Sequence, residues 1–122
     1  MTTTDRDLLE RAAKAAGIQG RWAEKSSMST RAKNPSDKIV GFFISGVRGG
    51  YGKRWDPLHD DSDAFRLAVT RRFTVAIRPH EVEVFCEASF ECLASVHTNG
   101  VSHEEATRRA IVIAAAMAGE GE

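Results

Sequence analysis

Trp55-Asp56-Pro57-Leu58-His59-Asp60-Asp61-Ser62-Asp63-Ala64-Phe65-Arg66-Leu67-Ala68-Val69 decides the reading of this chain, because it joins a rigid turn directly to a helix. Pro57 fixes its own φ and keeps Asp56 out of the α region, so Trp55 and Leu58 stand at a set angle as apolar anchors. Asp60 or Asp61 then accepts a hydrogen bond from a first-turn N–H. The further carboxylates favour the positive end of the helix dipole. Ala64, Phe65, Leu67, Ala68 and Val69 are expected to form the buried side of this helix, which ends near Arg72. Asp63 and Arg66 are spaced for a surface pair.

Upstream lies Arg48-Gly49-Gly50-Tyr51-Gly52-Lys53-Arg54, a basic, glycine-rich loop. Backbone N–H groups and cations here suggest a phosphate cradle. The spacing argues against a nucleotide loop: five residues, not four, separate Gly46 from Gly52, and Arg54 stands where a Mg²⁺-binding Ser or Thr would be. Residues 38–47 carry apolar side chains on both parities, as expected of a strand covered on both faces. Before it, residues 21–37 read as a long polar, basic loop in which Pro35 precludes regular structure. Trp22 reads as a lid on the core rather than a stacking platform. Residues 5–16 form a helix, with Thr4 as N-cap and an apolar stripe of Leu8, Leu9, Ala12, Ala13 and Ala16. Gly17 and Ile18 close it in a Schellman ending.

Downstream, Phe73–Arg78 is a strand and Pro79-His80 a turn. In the next strand, from Glu81, the residues Val82, Val84, Cys86 and Ala88 alternate with Glu81, Glu83, Phe85 and Glu87, which leaves one face wet. Glu91–His97 reads as a further strand after a tight reversal, in which Leu93 changes the parity, and either a bulge or a single long bent strand accounts for it. After the Asn99-Gly100 turn, Ser102 and Glu105 form a capping box. Ala106, Ala110, Ile113, Ala114 and Met117 stripe a last helix that reaches Gly119.

The 122 residues suit one domain with a single core. The expected class is α+β: a small, mainly antiparallel sheet of three to four strands layered with three helices as an α/β/α-type sandwich. No apolar run approaches the roughly 20 residues of a bilayer span, and the first residues lack a signal-peptide layout. The expected compartment is therefore the cytoplasm, with Cys86 and Cys92 as buried free thiols. Seventeen cations balance seventeen anions, yet residues 1–80 carry an excess of basic groups and residues 81–122 an excess of acidic ones.

Three blocks carry a family resemblance: Asp7–Gly17, Trp55–Leu58 together with Asp60–Ala68, and Ala106–Val112. They resemble the phage ABA sandwich domain family of small phage-encoded proteins, which more often has Asn at position 56, Gly at 62 and Leu at 65. The resemblance implies helices layered on a small sheet and a phage or prophage origin. It implies no reaction.

No residue pattern names a catalytic group, a cofactor or a metal ligand. The carboxylates Asp56, Asp60, Asp61 and Asp63 beside His59 could hold a divalent ion for an enzyme, but the calcium-loop rhythm fails at Ala64 and Phe65, and capping explains the same residues. Cys86, Cys92, His97 and His103 match no zinc spacing. The expectation is a non-catalytic binding module whose partner is a host or phage protein rather than nucleic acid or membrane, with a homodimer left open. Its candidate binding residues are Trp22, Arg31, Lys33, Arg48, Tyr51, Lys53, Arg54, Trp55 and Arg109. The alternative is nucleic-acid binding through the cations of residues 21–54, with Trp22 and Tyr51 stacking on bases. Arg108 and Arg109 are expected to share a surface with Trp55 and the second helix.

Overall fold

A computed structural model describes residues 4–26, 38–44, 54–87 and 90–120. Helix α1 (Asp5–Ala15) starts where the Thr4 side chain accepts from Asp7 N–H, and it ends as the glycine predicted. Ile18 N–H reaches back to the Ala13 carbonyl at 2.8 Å, with Gly17 at φ +74°. The chain continues through β1 (Gly20–Ser26), β2 (Lys38–Ile44), β3 (Arg54–Trp55), α2 (Asp61–Arg71), β4 (Phe73–Ile77), β5 (Glu81–Cys86), β6 (Cys92–His97) and α3 (His103–Glu120).

The class is α+β, and the strands divide into two antiparallel sheets rather than one, ordered β1-β2-β3 and β4-β5-β6. The expected loop of residues 21–37 is corrected at its start, where Gly20–Ser26 pairs residue for residue with Lys38–Ile44. A backbone ladder forms this strand, and it does not require the apolar alternation that a half-buried central strand shows. Residues 27–37 lie outside the described residues. In β2, the neighbours Phe42 and Phe43 are both buried, as a strand covered on two faces requires.

Helix α3 is the centre of the molecule. It packs against α1, α2, β5 and β6, so Ala106, Ala110, Ile111, Val112, Ala114, Ala115 and Ala116 are all buried. The expected single stripe was too narrow, and Met117 is exposed. Its alanines let neighbouring layers approach closely, while Val82 and Val84 of β5 are fully covered beneath it. Each such valine contributes roughly 1.5–3 kcal/mol of burial. The bulge falls where Leu93 broke the alternation: Val84 pairs with Ala94, but Phe85 pairs with Cys92. Among the described residues, no helix is long and apolar enough to cross a membrane.

Candidate functional site

The turn before α2 is held by a closed set of bonds. Asp60 is the N-cap and accepts from Asp63 N–H at 3.0 Å, while the Asp63 carboxylate turns inward and accepts from Asp56 N–H at 2.9 Å. The Asp56 carbonyl accepts from the amides of His59 and Asp60. His59 Nδ1–H donates to Asp56 Oδ2 at 2.8 Å, and the Arg54 guanidinium lies 3.5 Å from the same oxygen. Asp56 Oδ1 is buried and has no hydrogen-bond partner among the described residues. Asp63 is therefore not the surface partner of Arg66 that its spacing suggested; it is only 4% exposed.

Arg108 connects this turn to the centre of the fold. Its Nε donates to the Leu58 carbonyl at 2.9 Å and its Nη1 to Asp61 Oδ1 at 2.7 Å. Arg109, one residue on, points elsewhere and pairs with Asp5 of α1 at 3.1 Å. The expected common surface of Arg108, Arg109 and Trp55 is thus split, because adjacent helical positions face about 100° apart. An exposed pair such as Arg109–Asp5 is worth roughly 0.2–1 kcal/mol.

The other candidates are placed as follows. Trp55 is 4% exposed and packs edge-on against Phe42 with ring centroids 5.7 Å apart, which makes it a core anchor and not a contact residue. Trp22 is half-buried against the core, with the Arg6 guanidinium 5.6 Å from its ring, in keeping with a lid. Arg54 lies across Gly41, where a Cβ would come within 2.6 Å of its Nε. Arg31, Lys33, Arg48, Tyr51 and Lys53 lie outside the described residues, so of the candidate side chains that the nucleic-acid reading uses only Trp22 and Arg54 are placed. Both cysteines are free thiols but neither is fully buried: Cys86 is half-buried, and Cys92 is exposed because the bulge turns it outward. Among the described residues, no group of three or more His, Cys, Asp or Glu side chains is arranged to hold a metal ion.

Sequence reasoning missed an open apolar face. Phe65 and Val69 were assigned to the buried side of α2, yet they are 69% and 59% exposed, and Ile77 at the end of β4 is 62% exposed. The buried stripe of α2 is Asp63, Ala64 and Leu67, with Phe65 and Val69 one turn apart on a different face. Phe65 and Ile77 border a groove of about 420 Å³ that is floored by Ala64 and Ile111 and rimmed by Asp61, His103 and Arg108. No family model, curated protein or solved structure matches this chain.

Proposed function

We propose that this chain is an accessory protein of phage or prophage origin, related to the phage ABA sandwich domain family that it resembles, and that it works as a protein-binding module in the host cytoplasm. The observation that carries the binding role is the inversion on α2. Of the carboxylates that would serve a metal-dependent enzyme, Asp60, Asp61 and Asp63 are engaged in capping, in holding the turn and in tying it to α3, while large apolar side chains stand in solvent around a groove. Exposed contiguous apolar surface of this kind marks interaction sites. The family proposal draws support from packing: the three resembling blocks meet in space, with Arg108 of the third block bonded to Leu58 of the second and α1 packed on α3.

The test is affinity capture by the tagged chain from nuclease-treated host lysate, run beside Phe65→Glu. Protein recovered by the wild type and lost with Phe65→Glu supports the reading. Recovery that vanishes with nuclease overturns it in favour of nucleic acid, and equal recovery by both chains removes the groove from the site.

A further inference from the structure

We infer that the groove beside Phe65 receives an amphipathic helix of a partner protein, one whose apolar stripe is flanked by Lys or Arg. The inference rests on the reading of this groove as a protein-binding site and names the chemistry of the partner.

The walls decide the form of the occupant. The groove is lined by Ala64 and Phe65 of α2, by Thr107, Arg108 and Ile111 of α3, and by Ile77 at the end of β4. Main-chain groups in the middle of a helix are bonded within that helix, so these walls offer no open ladder to an extended strand. An occupant is therefore held through side chains, the mode in which an amphipathic helix lies in a groove. The apolar surface also outruns the groove. Val69, one turn from Phe65 on α2, is exposed and lies outside the lining. A small molecule seated among the lining residues leaves Val69 in water, whereas a helix laid along α2 reaches both, because its own apolar side chains recur at the same spacing.

Charge decides the composition of that helix. The lining holds two carboxylates, Asp61 and Glu104, against one guanidinium, Arg108. Arg108 is engaged by Asp61 Oδ1 and the Leu58 carbonyl, and His103 Nε2–H donates to the carbonyls of Arg78 and Pro79 at 3.0 and 3.2 Å. Glu104 is exposed and has no hydrogen-bond or ion-pair partner among the described residues. The cations next to lining residues in sequence do not offset it. Arg66 borders a different cleft with Trp55 and Leu67, Arg78 pairs with Glu83 at 2.6 Å, and Arg109 pairs with Asp5. An acidic partner meets like charge at this rim, while a Lys or Arg beside an apolar stripe meets the carboxylate of Glu104.

The test is selection from a display library of random peptides of about 15 residues, long enough for an isolated helix, against the full wild-type chain. Enriched sequences should carry large apolar residues at helical spacing with Lys or Arg beside them. The tightest of them, synthesised, should bind Phe65→Ser more weakly by about tenfold or more, the scale of an interface anchor. Glu104→Lys should weaken it by about threefold, Glu104→Gln by less, and added salt should narrow both differences, as for an exposed charge pair. Both positions are exposed, and every variant should keep the wild-type circular dichroism. Bound peptide should gain helical signal and shift the amide resonances of Phe65, Ile77 and Ile111. Enrichment of acidic peptides, binding indifferent to Glu104→Lys, or shifts confined to another face overturns the inference, and so does a library that yields no binder. A host protein still captured from lysate through Phe65 then defeats the partner chemistry alone; a chain that captures nothing defeats the binding role as well.

Discussion

Two neighbouring positions on α2 exchange the roles that their chemistry suggests: Asp63 is buried and Phe65 stands in solvent. The difference teaches that burial on this helix is decided by which stripe meets α3 and the turn, and not by the polarity of the side chain alone. Asp63 is tolerated inside because its carboxylate has a buried N–H to accept from and its own N–H has the Asp60 cap. Phe65 has no such compensation among the described residues. A large apolar side chain left outside is the feature that requires an external explanation, whereas the buried acid does not.

The strongest way to break this contrast is to remove the inner acid. Asp63→Ala leaves the Asp56 N–H buried without an acceptor, and stability should fall by roughly 2 kcal/mol. Asp63→Asn keeps an acceptor and should lose about half as much, as read by urea unfolding. Equal losses for the two variants would mean that the carboxylate charge, not the bond to Asp56, holds the turn. Next in size is Arg108→Met, which keeps much of the apolar stem but removes the bonds to Leu58 and Asp61. A loss of about 1–1.5 kcal/mol is expected, most of it from the Leu58 carbonyl, since Asp61 is exposed. Asp60→Ala removes the cap and should cost about 1 kcal/mol, while Asp60→Ser should recover most of it.

The extent to which the sequence foretold these features follows from the range of the interactions concerned. Pro57, Asp60, Gly17 and the parity break at Leu93 act on their immediate neighbours, and each element they mark is present. The two-sheet division is set by long-range pairing that no local pattern reports. Polar residues at 21–26 concealed β1 because its pairing with β2 is a main-chain property. On α2, five apolar residues from Ala64 to Val69 span more of the circumference than one neighbour covers, so spacing alone did not show which of them would be left outside. The Asp60/Asp63 spacing did contain a signal, a cap residue followed three positions on by an acid, which is the arrangement that directs an acid back toward backbone N–H groups. Among the candidate binding residues, Trp55 was misassigned because a tryptophan beside a proline turn reads equally as an anchor or a contact, and only Phe42 on a different strand decides between them.

The smallest effect sharpens the comparison most. Phe65→Ser should change the stability of the folded chain by no more than about 0.5 kcal/mol, the range of surface substitutions. A phenylalanine that belonged to the core would cost roughly 3–5 kcal/mol on truncation. The two outcomes are far enough apart for denaturant unfolding to separate them. A small change leaves Phe65 without a role inside the chain, so any loss of association on its replacement reports the interface directly. A core-sized loss would return Phe65 to the buried side of α2, where its spacing first placed it, and would remove the contrast with Asp63.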